Sequence, residues 1–321
     1  MKYIVTGATG HIGNNLVRYL LNKNQLVKVL VRRENDISLA GLACEVVVGD
    51  LSDREFLENA IEEDSIVVHS LGMIDITNKY VDELMKVNFE MTISIVQACI
   101  KKKVRKFIYI SSTDAINKDQ GLIKDPTSFD LEGLNNYYAI SKAMGSDYVL
   151  KTLRQGLLKG CIVCPSCVLG INDFKVSSQG SVIKKQLNRK IAMSTKGHYN
   201  FVDVDNIADA IYKISINEVD EVYLLTGIDV DVNTLFKTIF KCLNRKARII
   251  YFPLWIVKIG LLFMPIYYKV TKQKPIFTKM TIDTINKDIT FDCSKAIHDF
   301  DYVETNFEEL IKKTIEWFSN N

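Results

Sequence analysis

Short apolar runs recur through the first half of the chain, and segments of helical period lie between them. Tyr3–Val5 supplies the first run, and a second ends in "VLVRRE". "CEVVVGD" (44–50), "SIVVHS" (65–70) and "KFIYIS" (106–111) read as the third, fourth and fifth. Helices are predicted from about Ile12 to Lys23 and from about Val81 to Lys102. Alternation of strand and helix implies a parallel sheet with right-handed crossovers, a doubly wound α/β fold. Ligands of such sheets bind beyond the carboxyl ends of the strands. Residues 1–164 are read as the sheet domain. Residues 165–321 are mainly a smaller, interleaved substrate-binding region, with about 201–226 returning to the sheet.

Composition changes this picture little. The 321 residues are 47% hydrophobic and 25% charged, a globular profile. A net charge of +3 offers no pointer to nucleic acid. "MKYIVTGATG" runs straight into structure, so no secretory leader is read there. Reduced thiols and a cytoplasmic location are expected for the seven cysteines. "CIVCPSC" places Cys161, Cys164 and Cys167 at metal-like spacing, but no further Cys or His follows closely. A short strand would turn residues three apart to opposite faces, so these are read as small buried hydrophobes, with no metal.

The turn after the first strand carries chemistry. Gly7, Gly10 and Gly13 form T-G-x-x-G-x-x-G in a strand–turn–helix context. Such glycines allow a tight turn, close approach of a pyrophosphate, and close helix–strand packing. The helix N-terminus then offers free N–H groups to the phosphates. At the end of the second strand, where NAD folds usually place a carboxylate, stand Arg32 and Arg33. A guanidinium can hold a 2′-phosphate, so NADP(H) is preferred, while Glu34 keeps NAD(H) open. Asp50 ends the third strand, placed to meet the adenine.

Further along come "SST" (111–113) at a strand end and "YYAISK", with Tyr138 and Lys142 one helical turn apart. Together with "TGATGHIG", "GDL" and Asn88 in "KVNFEMT", these motifs resemble the extended short-chain dehydrogenase/reductases, the NAD-dependent epimerase/dehydratase superfamily. That resemblance covers nearly the whole chain and implies a Rossmann-type fold. It implies Tyr138 as acid/base, Lys142 as its electrostatic partner and Thr113 as the hydroxyl that orients the substrate oxygen, with Ser112 able to substitute. Asn88 matches an asparagine that supports the lysine through a water. Thr9, His11, Ile12, Leu51, Ser70 and Pro165 join Gly7, Gly10, Gly13, Arg32, Asp50, Tyr138 and Lys142 as cofactor-side residues. A phenol with a pKa near 10 is poorly matched to proton transfer at neutrality, and a neighbouring ammonium favours its ionised form.

The second half resembles dihydroflavonol-4-reductase-like and 3β-hydroxysteroid-dehydrogenase-like members. Sugar-nucleotide relatives commonly carry an arginine before the "FVDV" strand, where this chain has His198-Tyr199-Asn200. Arg189 or Lys184 keep that alternative, a nucleotide-sugar epimerase or dehydratase with tightly held NAD, in play. A non-catalytic NADP(H) sensor is a third reading. Preferred is a reductase of ketones, or oxidant of secondary alcohols, on bulky apolar substrates. Homodimers are usual in the family, through helices corresponding to about 81–102 and 136–156. The apolar stretch 251–274 contains Pro253 and Pro265. It is read as a pair of helices forming a substrate lid, with peripheral membrane contact as the alternative.

Overall fold

The computed structural model describes every residue except 76, 119–120, 219–220, 272–277, 279–280, 283–284 and 304, and only the backbone at 265–271. Strand β1 (Lys2–Thr6) passes through the glycine turn into α1 (His11–Asn22). Then come β2 (Leu26–Val31), β3 (Glu45–Val48), α2 (Arg54–Ala60) and β4 (Ile66–His69). The segment expected as one helix is α3 (Val81–Met85), a π-helical turn (Lys86–Glu90) and α4 (Met91–Lys101). Next are β5 (Lys106–Ile110), β6 (Leu122–Ile123), α5 (Tyr137–Arg154) and β7 (Gly160–Pro165).

Seven strands form the main sheet, and its last member is β11 (Val222–Leu225), in the order β11–β7–β5–β4–β1–β2–β3. All of its pairings are parallel. The strand order reverses between β1 and β4, which opens a crevice at their carboxyl ends. The middles of the central strands are apolar on both faces because both are covered. Tyr3 and Val5 enter the core shared with α1 and with α7 (Val204–Ile216), whereas Ile4 enters the core on the α4 and α5 side. Cys161 and Cys164 divide between these two cores in the same way. Burying each such large side chain contributes about 1.5–3 kcal/mol.

The second region is built around a third core. β8 (Cys167–Leu169), α6 (Ser178–Leu187), β9 (Ala192–Ser194) and β10 (His198–Asp203) come first. β12 (Ile228–Asp231), α8 (Val232–Cys242), β13 (Ile249–Tyr251) and α9 (Leu254–Thr271) follow. Of the stretch 201–226, α7 and β11 rejoin the main sheet. The strand at 201–203 does not: β10 pairs with β8 and β12 in a separate three-stranded sheet. Asn200 fixes that arrangement, donating to the Gly227 carbonyl and accepting from the Gly227 N–H.

The expected pair of apolar helices is instead one helix, since α9 runs through Pro265 without a break. Pro253 precedes the first turn, where no N–H is needed. Pro265 removes one hydrogen bond from a run of strong helix formers such as Leu261, Leu262 and Met264, which the helix tolerates. No helix among the described residues is long and apolar enough to cross a membrane.

Candidate active site

The glycine turn is dictated by space. Gly7 has φ +73°, and a Cβ there would lie 2.5 Å from the Leu71 nitrogen. A Cβ on Gly13 would lie 2.4 Å from the Gly7 oxygen and 2.6 Å from Ser70 Oγ, so α1 sits directly on the turn. Ser70 Oγ donates to the Thr6 carbonyl and locks β4 against β1. The first turn of α1 holds no carboxylate, and the free N–H groups of a helix start favour an anion.

Loop 170–176 closes over this turn. His11 Nε2 lies 3.0 Å from the Ile171 carbonyl, and Lys175 Nζ donates to Thr9 Oγ1 at 2.6 Å. Asn172 Nδ2 donates to Asn15 Oδ1. Within the same loop Val176 has φ +51°, a left-handed conformation that a β-branched residue rarely adopts. None of these contacts is foreshadowed by a local sequence signal.

Helix α5 begins where the Asn136 side chain accepts from the Ala139 N–H. That start leaves Tyr137 exposed and buries Tyr138 and Lys142. Lys142 Nζ donates to the Ile110 carbonyl at the end of β5 and lies 5.0 Å from the Tyr109 ring centre. Burial brings its pKa down to about 8. Burial pushes the Tyr138 phenol up, nearby Asp114 adds to this, and a hydrogen bond with Ser112 opposes it. Burial and Asp114 thus favour the neutral phenol. Ser112 also caps the short turn Thr113–Ala115 by accepting from the Asp114 N–H. Both hydroxyls read from the sequence line the cavity, and of the two Ser112 is the one that acts on the Tyr138 phenol.

Asn88 stands in the π-helical turn, fully buried. Its amide bonds the main chain of Met73 in both directions and donates to Ser141 Oγ at 3.0 Å. Ser141 in turn donates to the Tyr138 carbonyl. Asn88 thus braces helix α5 and the loop after β4. π-Turns often mark functional positions.

A cavity of ≈ 400 Å³ connects these parts. Gly10, His11, Ile12, Gly13, Ser70 and Pro165 line its cofactor side, and Ser112, Thr113, Tyr138 and Lys142 its centre. Beyond them Met193, Tyr199, Phe236 and Ile285 make an apolar chamber. No described residue of α9 lines it, and Leu254, Val257 and Leu261 pack against the third core; the rest of the stretch read as a lid, the side chains from 265 to 271 and residues 272–274, lies outside the described residues. Leu51 belongs to the core. Arg32 and Asp50 lie outside the cavity, in a second cleft with Lys86 and Gly72. There the Ser52 N–H and hydroxyl, with lesser help from Lys86 and Arg32, hold the Asp50 carboxyl below its usual range. Lys86 gives no signal in the sequence beyond being one more helical lysine. The cavity also holds Ser166 Oγ and Thr195 Oγ1, buried and without a hydrogen-bond partner among the described residues. Such groups mark where a bound molecule would supply the partner.

A sequence model of the NAD dependent epimerase/dehydratase family matches residues 3–225. The chain belongs to this family. It is 27% identical over 99% of its length to the sterol demethylase protein B of Methylococcus capsulatus, covering 98% of that protein. A Synechocystis protein provisionally named dihydroflavonol 4-reductase is 25% identical, with 99% of this chain and 95% of that one covered. The 3β-hydroxysteroid dehydrogenase/Δ5→4-isomerase of vaccinia virus is 25% identical over 65% of this chain and 62% of its own. Among solved structures, UDP-glucuronic acid 4-epimerase from Bacillus cereus, in complex with UDP-glucuronic acid and NAD, superposes with a TM-score of 0.76. It is 17% identical over 100% of this chain and 99% of that one, a likeness of fold alone. Membership of an NAD-dependent family agrees with the cradle around Gly7, Gly10 and Gly13.

Proposed function

We propose that this protein is an NAD(P)(H)-dependent oxidoreductase that reduces a ketone, or oxidises the corresponding secondary alcohol, on a bulky and mostly apolar substrate. The observation that carries this reading is one continuous cavity. It leads from the glycine turn, past Ser112, Tyr138 and Lys142, into a chamber walled by Met193, Tyr199, Phe236 and Ile285.

The cradle fits a dinucleotide. Gly10 and Gly13 line the cavity at the helix N-terminus, Lys175 hangs over Thr9, and the unpartnered Ser166 hydroxyl adjoins Pro165. A bound nicotinamide would supply the hydride donor or acceptor. Ser112 would donate a hydrogen bond to the substrate oxygen, and Tyr138 would deliver the proton to it. Lys142, held by Ile110, would favour the phenolate left behind. Arg32 in the second cleft supports NADP(H) over NAD(H).

The chamber's chemistry favours an apolar substrate over a sugar nucleotide. Lys184 does not line it and lies over the Phe318 ring at 5.4 Å. Arg189 is exposed and also outside it. Lys118, which does line it, is paired with Asp114. The names of the relatives above point to sterol-sized substrates, within the range that ligand cavities of this size accept.

The test is consumption of NADPH or NADH by the purified protein on a panel of steroidal and other bulky ketones, beside the Tyr138→Phe variant. Turnover that Tyr138→Phe abolishes, with cofactor affinity unchanged, is expected. Retained NAD with epimerisation of a UDP-sugar, and no net cofactor consumption on the ketone panel, would overturn the assignment.

A further inference from the structure

Helix α9 is apolar on both sides and covered on one. Leu254, Val257 and Leu261 pack against the third core. Trp255, Ile259, Leu262 and Phe263 face solvent with 64%, 51%, 74% and 64% of their surface exposed. A helix that is hydrophobic all round is ordinarily buried all round. The patch also continues off the helix. β13 leads into α9 with exposed Ile250 and Tyr251, and Met193, on its partner strand β9, is exposed opposite Ile250. Single exposed apolar residues are ordinary, but a contiguous face marks something that covers it.

The charges around this face decide what that is. No Asp or Glu occurs between Asp231 and Asp283, or between Asp173 and Asp203, the segments that carry α9, β13 and β9. Arg189, Lys190, Lys246, Arg248 and Lys258 are exposed there, and none forms an ion pair among the described residues. The whole chain carries a net charge of only +3, so cations are concentrated on this side. A second copy docking face to face would bring these like charges together, which opposes association. An anionic lipid surface meets both features, taking apolar side chains below the headgroups and cations at them.

We propose that α9 and the β9–β13 pair dock the protein on an anionic phospholipid bilayer, with the helix lying in the interface. Met193 belongs both to this face and to the wall of the chamber. If the function proposed above holds, an apolar substrate would therefore reach Tyr138 from the lipid phase; the docking itself does not rest on that reading.

The experiment is flotation of the full chain with phosphatidylcholine vesicles and with vesicles containing phosphatidylglycerol, while Trp255 emission is followed. The expected result is binding to the anionic vesicles only, a blue shift lost in Trp255→Phe, and release at high salt. Leu262→Ser/Phe263→Ser should lose binding at least tenfold. Both side chains are exposed, so the melting temperature and cofactor affinity should stay unchanged. Failure to float with anionic vesicles, or equal binding to both kinds, would overturn the proposal. So would a dimer that this double variant converts to monomer, which would hand the face to a second copy. These readouts need no turnover, so failure of the ketone panel would leave a positive vesicle result standing.

Discussion

Asn88 and Met73 hold one another by two hydrogen bonds: the Met73 N–H donates to Asn88 Oδ1 at 2.8 Å, and Asn88 Nδ2 donates to the Met73 carbonyl at 2.9 Å. The pair ties the loop after β4 to the π-helical turn. That loop also backs Lys142, since a Cβ on Gly72 would lie 3.1 Å from its Nζ. Asn88→Ala would leave buried main-chain groups unpaired, at a cost of about 1–3 kcal/mol. Urea unfolding should show that loss, and the Michaelis constant for the cofactor should rise. Asn88→Asp keeps the acceptor but loses both donated bonds, so it should recover only part of the stability. Wild-type stability in Asn88→Ala would remove the bracing role.

Ser112 and Thr113 separate by substitution. Both line the cavity, and the Ser112 hydroxyl pulls the Tyr138 phenol down against the effect of burial. Removing one preorganised donor at a reacting oxygen typically costs about 10²-fold in turnover. Ser112→Ala should show that loss in kcat with little change in cofactor affinity. Thr113→Val, close in shape, should stay within about threefold. The reverse ranking would move the orienting hydroxyl to Thr113.

How far the sequence discloses this site depends on the range of each contact. The glycine turn, the strands and the Tyr138–Lys142 spacing are local patterns of 2.0 and 3.6 periodicity, so they are legible without the fold. Ser112 and Thr113 are adjacent at a strand end, and only the fold distinguishes them, with Ser112 capping the turn and acting on the Tyr138 phenol. Lys175 reaches Thr9 from the far half of the chain, a contact no window of sequence contains. Hydropathy found the apolar character of α9 without showing which of its sides is covered. Composition does not say that Leu254, Val257 and Leu261 pack beside the chamber while Leu262 and Phe263 stay exposed. The strand at 201–203 resembled a return to the main sheet, yet its register with Gly227–Asp231 is set by the Asn200 amide.

Lys175 is exposed and bonded to Thr9 at the mouth of the cradle. Its ammonium is within reach of a diphosphate bound at the helix N-terminus, and a charge-assisted bond there is worth ~1 kcal/mol when partly solvated. Lys175→Met should raise the dissociation constant for NADP(H) roughly 3- to 10-fold, measured by nicotinamide fluorescence, and the melting temperature without cofactor should hold. The wild-type advantage should shrink as salt rises. Equal affinities at low salt would exclude the contact.

Lys142 carries a stability cost for its chemistry. Burial brings its pKa down to about 8, from an ordinary value of 10.5. Between those two values the unfolded chain holds the proton that the folded chain has released, so stability rises with pH across that window. Below pH 8 both states are protonated and the full penalty of burying the ammonium applies. The gap corresponds to ~3 kcal/mol before the bond to the Ile110 carbonyl is set against it. Lys142→Met removes both, so the variant should be more stable than wild type by ~1–2 kcal/mol at pH 7 and lose that advantage toward pH 10.5. On the proposed mechanism the same variant should be nearly inactive, because it lacks the charge assigned to favour the Tyr138 phenolate. Chemical denaturation at several pH values, in parallel with turnover, checks both halves. A variant that is less stable than wild type at pH 7 would mean that the Ile110 bond and the Tyr109 ring outweigh the cost of desolvating the ammonium.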